Sequence, residues 1–73
     1  MPAEATPSGT EWIAAFAARL GVDAPDDDTV TILLELAGVA AHASERTAAP
    51  IACWLVGRAG ASAAEALATA RSI

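Results

Sequence analysis

From Trp12 onward the apolar residues recur every three or four positions, in four runs separated by short joints rich in glycine, serine or aspartate. That period is the signature of amphipathic helices, because a 3.6-residue turn brings such positions onto one face. The first run sets Trp12, Ile13, Phe16 and Leu20 on one stripe. Ser8-Gly9-Thr10-Glu11 ahead of it has the spacing of a capping box, with Thr10 as a competing cap. Gly21 supplies a left-handed stop, after which Val22 is placed to fold back on the stripe.

The second run, Thr29 to about Ser44, is apolar around most of its circumference. Val30, Leu33, Leu34, Ala37, Ala40 and Ala41 form one stripe, and Ile32, Leu36, Val39 and Ala43 another. Such a helix is expected at the centre of the fold. Asp28, at the end of the acidic loop 23–28, is taken as its cap, since carboxylates favour the positive helix N-terminus. Its narrow polar stripe is Thr31, Glu35, Gly38, His42 and Glu45, so His42 belongs to the wet side.

The joint after Ser44 leads into a third helix with Thr47 or Ala49 as cap and Pro50 in the first turn, where a missing amide costs little. Ile51, Trp54 and Leu55 are expected to face inward. Pro50, Cys53 and Gly57 form a small-residue face that lets a helix or a ligand approach closely. Ser62 and Glu65 repeat the capping-box spacing before a fourth helix, with Ala63, Ala66, Leu67 and Ala70 inward. The prediction is an all-α fold, a compact bundle of four short helices. Residues 1–8, with two prolines and no periodicity, read as a flexible tail, and residues 9–73 as a single helical domain.

Composition agrees with helices: 55% of residues are hydrophobic and 18% charged, alanine dominates and tyrosine is absent. At 73 residues only about 60% of the unfolded surface is buried on folding, so a partner or self-association would add stability. The formal charge of −5 and four scattered basic residues, Arg19, Arg46, Arg58 and Arg71, provide no clustered surface for nucleic acid or for an anionic membrane. A single cysteine precludes an internal disulfide and a multi-cysteine zinc site. The opening MPAEATPSG lacks a secretory pattern, and the longest strongly apolar stretch, Ala48 to Gly57, is far short of the ~20 residues that cross a bilayer. A cytoplasmic location is the expectation.

The chemistry-bearing residues concentrate in His42 to Trp54. His42, Glu45 and Glu35 are the only local nitrogen and oxygen ligands, with no metal-binding spacing, so no metal and no cofactor is expected. Cys53 with His42 as base is a conceivable nucleophile pair, but a thiol among Ala52, Trp54 and Leu55 reads as an inert small side chain filling an apolar face. No catalytic residue is assigned. An anion site is better motivated: His42 and Arg46 lie one turn apart beside a helix start whose first amides, near Ala48 and Ala49, are expected to be free donors. The competing reading has both cations capping the end of the second helix, with no ligand. Acidic Asp-Asp-Asp-Thr-Val at the second helix start superficially resembles the attachment site of acyl carrier proteins, but Thr29 stands where those carry serine, and a helix cap explains the residues.

The stretch LLELAGVAAHASERTAAPIACWLVG, with EWIAAFAARLG upstream, carries a wider likeness. The pattern W-x(7)-L-G, L-x-L-A, A-H, R-x-A-A-P-[LI] and [FW]-L-x-G resembles a small bacterial domain family of unknown function. In high-GC bacteria that family occurs alone or fused behind molybdenum-cofactor guanylyltransferases. The likeness covers Glu11 to about Ala70; His42, Arg46, Pro50, Trp54 and Gly57 match pattern positions, and Thr47 replaces the usual proline. It implies association with molybdopterin guanine dinucleotide biosynthesis. The chain itself carries no glycine-rich nucleotide loop and is too short for a nucleotidyltransferase sheet, so it does not read as the transferase. The expected function is therefore a non-catalytic accessory or adaptor that docks on a molybdenum-cofactor guanylyltransferase or on a molybdoenzyme. Two alternatives stand beside it: an anion- or cofactor-binding module centred on His42 and Arg46, and a self-associating helical dimer.

Overall fold

A computed structural model describes residues 6–73 and contains four helices: α1 (Gly9–Leu20), α2 (Asp27–Ala43), α3 (Ala48–Ala59) and α4 (Ala63–Arg71). The fold is all-α, as the periodicity predicts. Residues 1–5 of the expected tail lie outside the described residues, and within residues 6–8 Ser8 is already the cap of α1.

Local signals set the helix ends. At α1 the Ser8 Oγ accepts from the Glu11 amide at 3.1 Å while Glu11 accepts from the Ser8 amide at 2.8 Å, so two otherwise unpaired donors are satisfied reciprocally. Gly21, at φ 76°, ends the helix. Its amide donates to the Ala18 carbonyl, and the Val22 amide folds back to Ala17 at 3.0 Å, the two bonds of a Schellman stop. Ser62 and Glu65 build the same box at α4.

The second helix starts two residues earlier than predicted, and its cap is Asp26, not Asp28. The Asp26 carboxylate accepts from the Thr29 amide at 2.8 Å from an extended backbone that follows Pro25. This choice moves Asp27 and Asp28 into the first turn, where both negative charges meet the positive end of the helix dipole. The hydrogen bonds from Thr29 hold the Asp26 carboxyl below the usual aspartate range.

Packing is uneven. α3 and α4 each lie against α2, which is central as expected, and Leu36 on α2 is the most buried residue at 2% exposure. Leu67 on α4 and Ala17 on α1 complete the buried core among the described residues. Ala63, Ala66, Leu67 and Ala70 turn inward as predicted. α1 forms no comparably extensive contact with another helix, and the molecule measures 50 × 25 × 18 Å.

The inward face of α3 is opposite to expectation. Ile51, Trp54 and Leu55 are exposed, Trp54 by 63%. The partly buried side is Ala48, Ala49, Ala52, Cys53 and Val56, five residues at i, i+1, i+4, i+5 and i+8. Small side chains on this stripe meet an alanine-bearing α2 at close range, and a close helix pair leaves no room for an indole between the axes. Leu34, assigned to an apolar stripe of α2, is likewise exposed. Across the α2–α4 contact Arg71 donates to Glu35 at 2.9 Å, an ion pair in which each side chain is at least half in solvent. Among the described residues no helix is long and apolar enough to cross a membrane.

Candidate functional site

The joint between α2 and α3 holds the residues expected to form an anion site. His42 sits exposed in the last turn of α2, and Arg46 is exposed in the loop. Ser44 closes α2, its amide and hydroxyl both donating to the Ala40 carbonyl, at 3.2 and 2.8 Å. Thr47 precedes α3 with a helical backbone and makes no side-chain cap; its hydroxyl donates to Glu45 at 3.3 Å instead.

Two tight turns then engage the amides that were to bind the anion. The Ala48 amide donates to the Glu45 carbonyl at 2.9 Å and the Ala49 amide to the Arg46 carbonyl at 3.2 Å. Residue 50 is proline and has no amide hydrogen. The first three positions of α3 therefore offer no free backbone donor, so the joint lacks the amides that a helix N-terminus normally supplies to an anion. The open depression beside the joint is lined by Ser44, Glu45, Thr47, Ala48, Ile51, Ala52 and Leu55. It includes neither His42 nor Arg46, and its one charged group is a carboxylate, which repels anions.

Cys53 is a free, half-buried thiol on the inward side of α3, whereas His42 is in solvent on the polar stripe of α2. Among the described residues no group of three or more His, Cys, Asp or Glu side chains is placed to hold a metal ion. What the surface does present is apolar. α3 and α4 leave a groove between them, with Leu36 at its floor and Leu55, Val56, Ala66, Ala70 and Ile73 along its walls; Glu65 and Thr69 are its only polar members. Elsewhere on α3 Ile51 and Trp54 stand in solvent. The sequence signal for this surface is the alanine stripe of α3, which marks the side able to pack most closely and so sends the large residues outward.

The model of one family, described as a domain of unknown function (DUF6457), matches residues 4–73. The chain belongs to this family. The match spans all four helices, so the joint, the groove and the exposed aromatic residues all lie inside the DUF6457 domain. No curated protein and no solved structure was found to match the chain.

Proposed function

We propose that this DUF6457 domain is a non-catalytic accessory or adaptor that docks on a molybdenum-cofactor guanylyltransferase in the biosynthesis of molybdopterin guanine dinucleotide. The observation that supports docking is the apolar groove floored by Leu36 and walled by Leu55, together with the exposed Ile51 and Trp54 elsewhere on α3. Interface energy concentrates in buried aromatic and apolar anchors, and the solvent-exposed Trp54 is a side chain of that kind. The choice of partner rests on the likeness of the motif residues around His42, Arg46, Pro50 and Trp54 to a family fused with such transferases.

The test is a pull-down and a calorimetric titration of the full chain against the purified transferase. Binding at or below tens of micromolar, weakened at least tenfold by Trp54→Glu, supports the reading. Absence of any complex at that concentration overturns it, and binding to a molybdoenzyme alone would reassign the partner. The alternative module centred on His42 and Arg46 would have to hold an anion through two exposed side chains without backbone donors. Phosphate is accordingly expected to leave the amide resonances of residues 46–49 and 51 unchanged.

A further inference from the structure

Two depressions of the described surface carry one charged residue each, and the charges are opposite. Trp12, Ala15, Phe16 and Arg19 line the outer side of α1. Trp12 and Phe16 are exposed by 55% and 48%, and their rings stack with centroids 5.0 Å apart. Arg19 ends this stripe in the last turn of the helix and pairs with no carboxylate among the described residues. The groove between α3 and α4 is otherwise lined by aliphatic side chains and Thr69, and its charged member is Glu65, in the first turn of α4. Both bonds that Ser62 donates go to the Glu65 Oε1, at 3.3 and 3.0 Å, so Oε2 is left to face a cation.

The two charges also fix a direction. With Arg19 beside Glu65, a helix α1 laid antiparallel to α4 runs along the groove. Phe16, about 4.5 Å from Arg19 along the axis, then comes level with Ala66, Thr69 and Ala70, and Trp12, about 10 Å along, with Ala70 and Ile73. Laid parallel, the same ion pair carries both rings past the start of α4 and off the groove. The methyl groups of Ala66 and Ala70 leave room for the rings above Leu36. Burial of the rings supplies affinity, and the exposed ion pair, worth little by itself, selects the orientation. In its own chain α1 is held at the start of α2, where Ile13 and Ala14 share a cleft with Val30 and Thr31. The helix that fills the groove is therefore the α1 of a second copy.

We propose that two copies of this chain exchange their first helices, the α1 of each lying antiparallel to α4 in the groove of the other, with Arg19 against Glu65. Each arm fills one groove, so the reciprocal contact closes at two copies. The groove is the one assigned above to the transferase, so a second copy and the transferase exclude one another. The exchange is measured on the chain alone and does not rest on that assignment.

Sedimentation of the full chain across a concentration series, alone and in mixtures, tests it. The wild type reaches twice 7.3 kDa at tens of micromolar and dissociates on dilution. Phe16→Ala strips the arm. Thr69→Lys fills the groove and neutralises Glu65, with a Glu-to-Lys pair one turn apart that favours the helix. Each variant lowers dimer affinity at least tenfold with unchanged far-UV circular dichroism. An equimolar mixture of the two retains one intact arm and one intact groove, so it forms more dimer than either variant alone at equal total concentration. Arg19→Gln weakens the wild-type dimer at low salt and has little effect at high salt. A wild type that stays monomeric at about 100 micromolar overturns the proposal, as does a mass that climbs beyond two copies. A mixture no heavier than its components overturns the arm-in-groove contact, and a dimer indifferent to Arg19→Gln at low salt overturns its orientation.

Discussion

α1 and α4 begin alike and end in opposite circumstances. Each opens with a Ser-x-x-Glu capping box in which side chain and backbone exchange hydrogen bonds, and each carries an arginine in its last turn. Yet α4, the shorter helix at 9 residues against 12, lies against α2 and buries Leu67, while α1 leaves Trp12, Phe16 and Leu20 in solvent. The capping chemistry decides where a helix starts. Whether its apolar face is covered depends on what the rest of the chain brings to it, and here α2 has two flanks occupied by α3 and α4.

The contrast can be broken most forcefully at Leu36. Leu36→Ala removes the best-buried side chain of the three-helix unit and is expected to destabilise the domain by about 2–5 kcal/mol, enough to unfold much of so small a protein. Phe16→Ala is expected to change stability by less than about 0.5 kcal/mol, because the ring stands in solvent. Urea denaturation at low micromolar concentration compares the two, and equal losses would show that α1 is as integral as α4.

The caps sharpen the comparison at intermediate scale. Ser62→Ala should lower global stability by about 1 kcal/mol, since α4 unfolds with the core. Ser8→Ala removes the corresponding hydrogen bond from the Glu11 amide to the Ser8 hydroxyl but should fray α1 alone, visible as faster amide exchange over residues 9–13 with little change in the global midpoint. Glu35→Gln, which breaks the ion pair with Arg71, should cost less than about 1 kcal/mol, because both partners are largely in water; its effect should vanish in high salt.

The smallest effect is expected at Asp26. Its carboxyl is held below the ordinary aspartate value by hydrogen bonds from Thr29. A group whose folded-state pKa is depressed stabilises the fold above its unfolded pKa, and that contribution fades as pH falls through the folded value. The start of α2 should accordingly loosen under acid, below the usual carboxylate range, and Asp26→Asn should flatten that dependence. Helix-start amide exchange followed between pH 5 and pH 2 checks it.

Where the structure departs from the periodicity and the cap preferences, the cause is backbone geometry in a joint or the packing of one helix on another. Both capping boxes and the Gly21 stop were legible because each is a contact among residues three to five apart. Asp26 was passed over for Asp28 because three consecutive aspartates all satisfy the cap preference, and the extended turn after Pro25 selects among them. The anion site at His42 and Arg46 counted Ala48 and Ala49 as free donors, a statement about loop geometry that composition does not contain; the turns through Glu45 and Arg46 engage both.

The amino-acid sequence by itself determined that the chain is helical, where its four helices begin and end to within a residue or two, and that α2 is central. These are matters of period, propensity and local hydrogen bonds. Only the tertiary structure decided which sides face inward. On α3 the alanine and cysteine side permits the closest approach to α2, so the heavier Ile51, Trp54 and Leu55 are turned out. On α1 the aromatic stripe is left without a helix to cover it, because a small chain has only so much surface with which to bury its own apolar residues.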